Sequence, residues 1–262
     1  MLRLWKSNVA YILGASALAL LLLPAMLLAQ PPFISGFTTF SPISSTVPGN
    51  MDENPYGVAV IPATVGSLQR GNILVSNFNN KSNLQGTGTT IVQISPAGHL
   101  SLFAQIDPMK LPGACPGGVG LTTALGVVSQ GWVIVGSLPS TDGNPDTAKA
   151  GCLIVLDADG NPVETIAGHG INGPWDMATV EHGDDATLFV TNVLNGDVTV
   201  GDPHVVNRGT VLRVELEIHS RGGHDSRHHA PEVESMMQIG SGFSEIASPN
   251  AALIIGPTGV GL

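Results

Sequence analysis

From residue 54 onward the apolar positions come in short runs bounded by Gly, Pro, Asn or Asp, and no window follows the 3.6-residue period of an amphipathic helix. The runs fall into sets. The first contains Gly57 to Ile61, Asn72 to Ser76, Thr89 to Ser95, and His99 to Ala104 after a Pro96-Ala97-Gly98 turn. The second contains Val119 to Thr123, Trp132 to Gly136, Cys152 to Leu156, and Val163 to Ala167 after an Asp159-Gly160 turn. The third contains Met177 to Val180, Thr187 to Thr191, Thr210 to Val214 and, beyond a long insert, Met236 to Ile239. Each set predicts four short antiparallel strands.

Every set restarts with the same phrase, Pro-x-Gly/Asp-apolar-small: Pro55-Tyr56-Gly57-Val58-Ala59, Pro116-Gly117-Gly118-Val119-Gly120, Pro174-Trp175-Asp176-Met177-Ala178 and Pro257-Thr258-Gly259-Val260-Gly261. The prolines stand 61, 58 and 83 residues apart, so the chain is read as a repeat array. Proline sets φ as the chain turns in, glycine permits close backbone approach, and the small residue lets strands crowd a shared axis. A β-sandwich also has short strands but does not restart each set with one phrase. The expectation is an all-β partial propeller with blades at about 54–107, 115–168 and 173–240, plus the first strand of a fourth at 256–262. Three blades and a strand do not close a ring, which implies a truncated reading frame or a half-ring completed by self-association through open sheet edges.

The inner-strand phrase Pro-x-Gly-Val-Ala-Val, followed by strands ending Leu74-Val75-Ser76-Asn77 and Phe189-Val190-Thr191-Asn192, resembles the NHL repeats of six-bladed propellers over Asn54 to Leu262. That family has Asp where Asn77 and Asn192 stand, and an Asn-x-Arg-Ile segment not found here. Asp176 replaces the motif glycine, and Ser137 the strand-end Asn. The resemblance implies the fold more than any activity. It also implies a rival function, since six-bladed relatives include lactonases and lyases that hold a divalent metal in the central channel.

Residues 1–29 read as a cleaved secretory signal: Arg3 and Lys6 precede the apolar run Val9 to Leu28, broken by Gly14 and Pro24, and Ala29 offers a small residue for cleavage. An uncleaved membrane anchor is the competing reading. Gln30 rather than Cys follows Ala29, which argues against a lipid anchor. Residues 30–53, rich in Pro and Ser, read as a linker or a lone strand. Loss of the leader removes two of the ten Lys and Arg and no acid, taking the balance from −10 to −12. Such a chain lacks the clustered cations that nucleic acid or an anionic membrane requires. The expected location is secreted or periplasmic.

Strand parity places the loops Phe78–Gly88, Leu138–Ala150 and Val193–Arg208, of 11, 13 and 16 residues, on one rim. The same rim carries Asn54, Asn77, Asn172, Asp176 and Asn192, neutral and anionic oxygens of the kind Ca²⁺ accepts. Against ligand binding stands a simpler role, in which Asn77 and Asn192 cap strand ends through nearby backbone amides and Asp176 is satisfied by backbone N–H groups. Asn54, Asn172 and Asp176 are the candidate ligands for Ca²⁺ or another divalent metal under the enzyme reading; no other cofactor is indicated. Asp157-Ala158-Asp159-Gly160-Asn161 imitates a calcium loop, but Pro162 and Gly168 stand where the loop needs Gly and Glu, so it reads as a hairpin turn.

The insert Glu217–Ser235, with His219, His224, His228 and His229, reads as a solvated loop or a metal-binding tract on the opposite face. Cys115 and Cys152 are the two cysteines, and an exported chain would meet oxidising conditions. A disulfide between them stays open, because their strands are not neighbours and a Cα separation above about 7 Å would forbid it. Asn80-Lys81-Ser82 is a glycosylation triplet. No nucleophile elbow, HExxH or phosphate loop is present. The leading reading is a binding scaffold for a protein or small ligand, the alternative a fragment of a metal-dependent lactonase- or lyase-like enzyme, and a third a fragment with no function of its own.

Overall fold

The computed structural model describes residues 32–195, 204–218, 229–248, 250 and 252–261. The chain divides into two units, residues 1–42 and 43–262. In the first, the described residues form one 3-10 turn, Phe33–Gly36, with the Phe33 and Phe37 rings 5.4 Å apart. The leader, apart from which 30 and 31 also fall out, lies outside the described residues. No described residue from 32 to 52 enters a strand. In the second unit the segment before the first strand is instead tied down by Asp52, whose buried carboxylate accepts Thr89 N–H at 2.8 Å and Thr90 Oγ1–H at 3.0 Å.

The second unit is a succession of antiparallel meanders. The first sheet runs β1 (Glu53–Val60), β2 (Ile73–Asn79), β3 (Thr90–Ile94) and β4 (Leu100–Gln105) in spatial order. The second runs β5 (Leu121–Val127), β6 (Val133–Ser137), β7 (Cys152–Leu156) and β8 (Pro162–Ile166). The third has β9 (Gly173–His182), β10 (Asp185–Val193), β11 (Val206–Glu217) and β12 (Glu232–Ser248), with a fifth strand, β13 (Leu253–Ile255), beyond β12.

The inner strands β1, β5 and β9 lie beside one another in sequence, and the sheets stack face to face as blades. One apolar layer, including Leu74, Ile91, Phe103, Leu121, Val133 and Ile154, fills the space between the first and second blades. A second, including Trp132, Ile134, Leu153, Leu188, Val190 and Leu212, lies between the second and third. The result is a partial propeller-like array.

Glycine is required where neighbouring blades approach most closely, on β1 and on β6. A Cβ on Gly57 would lie 2.8 Å from Thr123 O, and one on Gly136 would lie 2.9 Å from Pro174 O, both in the following blade. Side-chain atoms crowd the same space, Ser76 Oγ at 2.6 Å and Leu125 Cβ at 2.8 Å from the first and Thr122 Oγ1 at 2.5 Å and Ala124 Cβ at 2.8 Å from the second, and the backbone oxygens among these obstacles have little room to shift.

Three sequence expectations are corrected. Pro55 and Pro174 occupy equivalent places, opposite Asn77 and Asn192 in the β1–β2 and β9–β10 ladders, but the residue opposite Ser137 is Leu121, not Pro116. The Pro116-Gly117-Gly118 phrase forms a turn ahead of the strand. Gly118 has φ +99°, a conformation foreign to a strand, and Gly117 N–H donates to Ala150 O at 2.8 Å. The third blade does not end near 240: β12 spans 17 residues, pairing with the long β11 from Glu217↔Glu232 to Val206↔Glu245 through four register shifts, and with β13 over Ile246, Ala247 and Ser248. Residues 256–261, expected as an inner strand, carry no strand, and β13 just before them pairs with β12.

Candidate functional site

The predicted rim residues sit where β2 and β10 end. Asn77 and Asn192 are fully buried, each opposite a threonine of the third strand, and each donates from Nδ2 to that threonine's Oγ1, Asn77 to Thr90 at 3.3 Å and Asn192 to Thr210 at 3.2 Å. Around this shared bond the two sites diverge. Asn192 Oδ1 accepts Asn172 N–H at 2.8 Å and Gly173 N–H at 3.0 Å, capping the approach to β9. Asn77 Nδ2 reaches Thr46 O at 2.8 Å, while its Oδ1 has no protein partner. In the second blade the same pair is Ser137 and Cys152, in register opposite each other. Ser137 Oγ accepts Gly120 N–H at 3.0 Å, and Cys152 is bonded to Cys115.

That disulfide has a Cα separation of 5.3 Å. The distance is short because Cys115 lies in the turn before β5 rather than in a strand, and this turn folds over the start of β7. The pairing that the sequence left open is therefore made, within the second blade.

Two residues that the sequence reading did not single out complete the third-blade site. Asn195 Oδ1 accepts Asn172 Nδ2–H at 2.6 Å and Asn192 Nδ2–H at 2.9 Å, and its Nδ2 donates to Asn192 O at 2.9 Å. Glu245, 1% exposed, accepts Leu194 N–H at 2.7 Å and Asn195 N–H at 3.2 Å. Burial pushes the Glu245 carboxyl above its usual range, and the two N–H groups and the Arg208 charge offset part of that rise. Leu194 takes φ +64°, a left-handed turn held by this carboxylate. Asn195 could have been noticed as Asn-Gly after a strand; Glu245 lies in a Gly/Ser-rich stretch with no strand signal.

Asp176 occupies the place of Gly57, its N–H bonded to Thr191 Oγ1 at 2.9 Å as Gly57 N–H is to Ser76 Oγ at 2.9 Å. Its Oδ2 accepts Val260 N–H at 3.1 Å. Burial raises the Asp176 carboxyl pKa, and bonds from Met177 and Val260 N–H groups counter it. Asn54, at φ +63°, bonds the Tyr56 side chain. Beside it the Tyr56 and Phe78 rings stack at 4.5 Å, and Trp175 meets them edge-on at 5.9 and 5.6 Å. This aromatic group, packed with Leu138, Val193 and Leu253, fills the rim end of the inner strands.

The three candidate metal ligands each face a different protein partner. Asn54 turns to Tyr56, Asn172 to Asn192 and Asn195, and Asp176 to Val260. Among the described residues no group of three or more His, Cys, Asp or Glu is placed to hold an ion.

Asp157 Oδ1 accepts the N–H groups of Asp159 and Asn161 at 3.0 and 2.8 Å, closing the β7–β8 hairpin turn. Asn80 Oδ1, in the glycosylation triplet, accepts Ser82 N–H at 2.9 Å. His219, His224 and His228 lie outside the described residues; His229 lines a groove of about 720 Å³ with Glu164, His169, Glu232, Glu234 and Met236, between β8 and the start of β12. Among the described residues no helix is long and apolar enough to cross a membrane.

Fold and rim together define an all-β protein of propeller-like architecture. No family model matches the chain, and no curated protein does. Among solved structures it is similar to a Bacteroides ovatus protein described as xyloglucan PUL GH43B, at 13% identity over 74% of this chain and 42% of that one, with a TM-score of 0.23. This chain thus spans less than half the length of that neighbour, and a score so low supports no inference from it.

Proposed function

We propose that the chain is an exported, NHL-like propeller segment that serves as a binding scaffold, presenting its rim loops to a protein or small ligand. The observation that carries this reading is a lock between loops of neighbouring blades. Ser140 N–H donates to Gly86 O at 2.9 Å and Ser140 Oγ–H to Gln85 O at 2.5 Å, so the β2–β3 and β6–β7 loops form one preorganised surface. Lys81, Ser82, Asp142 and Asn144 stand exposed on it. A rigid frame holding polar loops is how binding surfaces are commonly built. The candidate metal ligands each make an internal bond, Asn54 with Tyr56, Asn172 with Asn195 and Asp176 with Val260. Export is supported by the leader's pattern and by the disulfide, which suits an oxidising compartment.

Calorimetric titration of the chain with CaCl₂ and with ZnCl₂ tests the scaffold reading against the metal-enzyme one. No saturable heat is expected at millimolar metal. A one-site isotherm that disappears in Asp176→Asn would replace the scaffold by the enzyme. For export, residues 1–40 fused to a reporter that is active only outside the cytoplasm should give activity, and a silent fusion would remove that part.

A further inference from the structure

Blades that radiate from a shared axis leave gaps that widen outward, and the chain fills its two gaps differently. Between the first and second blades, residues 106–120 join β4 to β5 and lay Ile106 and Leu111 into the apolar layer. Gly113 of that connection lies against the outer strand of the second blade, where an added Cβ would meet Thr165 Cβ at 3.2 Å. Between the second and third blades the connection from β8 to β9 is only residues 167–172, and it contributes Ile171. The outer part of this second gap is the groove of about 720 Å³ between β8 and the start of β12, a size suited to a ligand rather than to a single water.

Register sets what lines it. Glu164 and Ile166 stand opposite Val155 and Leu153 of β7, and Val233 and Met236 stand opposite Leu216 and Val214 of β11. All four of those partners belong to the layer between the second and third blades, so the two pairs of side chains face one another across the groove. Ile166 is 7% exposed and Val233 40%, which gives a closed floor and an open mouth. Glu232 and Glu234 line the groove together with Glu164, and among the described residues no lysine or arginine does. Three carboxylates around one apolar cleft repel one another, and a positively charged occupant relieves that repulsion. Consecutive residues border the groove, 164–167 on one side and 229–236 on the other, so it runs along the strands. The five residues of β8 span about 17 Å at roughly 3.3 Å per residue.

We infer that this groove takes an extended peptide segment of a partner protein in which apolar residues alternate with lysine or arginine. The apolar side chains rest on Ile166 and Met236, and the cations meet Glu164 and Glu234; the twofold alternation of an extended chain suits both. In the first gap the chain's own connection supplies apolar filling beside the outer strand. In the second gap that filling comes from outside. The site lies on the outer strands, apart from the rim loops.

Fluorescence anisotropy of a labelled heptapeptide of alternating valine and lysine, titrated with the full chain, tests this. Saturable binding is expected, and it should weaken as salt rises. Counterparts with glutamate in place of lysine, or serine in place of valine, should bind about tenfold more weakly or worse. Glu164→Lys with Glu234→Lys should lower affinity by at least about tenfold, whereas Asp142→Lys with Asp146→Lys, the same change of charge on the exposed rim, should lower it by less than about twofold. In the unaltered chain, hydrogen exchange should slow over residues 163–166 and 232–236 when the peptide is added, a measurement that needs no variant. No saturation at millimolar peptide, equal loss in the two charge-reversed variants, equal binding of the serine peptide, or protection confined to other strands would each overturn the inference.

Discussion

The second blade closes the end of its second strand with a covalent bond, whereas the first and third close theirs with an asparagine and a threonine. Ser137 opposite Cys152, tied to Cys115, stands where Asn77 opposite Thr90 and Asn192 opposite Thr210 stand. The three solutions answer one requirement. At this point the chain must enter the inner strand while leaving the second, and the backbone groups it exposes have to be bound inside the protein. Asn192 meets the requirement with an amide that uses both ends. Asn77 uses one end and leaves its carbonyl oxygen unpaired. The second blade, whose proline turn lies several residues ahead of the strand, uses a crosslink that pins the turn itself. Equivalent positions in a repeat thus share a geometric problem rather than a residue.

The largest break in this comparison concerns the inner strands. Gly57→Asp places in the first blade the residue that the third blade has at Asp176. With Thr123 O 2.8 Å from the new Cβ, it should cost more than about 4 kcal/mol in urea denaturation and leave little folded protein. Asp176→Gly, the reverse exchange, should cost about 1 kcal/mol, mostly from added chain entropy. Equal effects would show that the close approach of Thr123 O does not set the cost at Gly57.

Next in size is the crosslink. Reduction of Cys115–Cys152, which closes a 37-residue separation, should lower stability by roughly 3–4 kcal/mol. Cys115→Ala with Cys152→Thr and Ser137→Asn rebuilds the pair used by the other blades and should recover part of that loss relative to Cys115→Ala with Cys152→Ala. No recovery would mean that the asparagine clasp depends on a turn the second blade lacks.

The two asparagines should separate. Asn192→Ala strips partners from Asn172, Gly173, Gly170 and Thr210 and should cost about 3 kcal/mol, while Asn77→Ala should cost about 1 kcal/mol, because its oxygen is already unpaired. Chemical denaturation of both variants checks the order, and a larger loss at Asn77 would contradict it.

The smallest effect is on pH dependence. Burial raises the Glu245 pKa in the folded chain, so the fold favours its protonated form. Its contribution to stability is therefore fully present below the ordinary glutamate range and is lost as pH rises through the raised value. Melting temperature measured from acid to neutral pH should fall less steeply in Glu245→Gln than in the unaltered chain, and an unchanged slope would place the titration elsewhere.

Much of this was legible in the amino-acid order. Runs of Val, Ile and Leu between Gly-marked turns located most of the strands, since such runs need burial on both faces and turns need glycine or asparagine. The strand-ending asparagines were readable as caps for the same chemical reason. Less was legible at Pro116, where a proline-glycine phrase matched the other copies but formed a turn, because text alone cannot say whether Gly118 lies at negative or positive φ. The length of β12 was hidden as well. Its Gly240-Ser241-Gly242 stretch is a poor strand by propensity and is drawn into one because β11 pairs with Gly240, Ser241 and Phe243 on either side of the skipped Gly242.

The sequence by itself determined the class of structure, the number of sheets and the residues suited to closing their ends, because alternation, turn chemistry and hydrogen-bonding capacity are properties of local text. Only the tertiary structure decided which partner each group received. It brought Cys115 beside Cys152, Glu245 beneath Leu194 and Asn195, and Val260 against Asp176. Those pairings join residues 37 to 84 positions apart, and their distances follow from how blades stack rather than from any local preference.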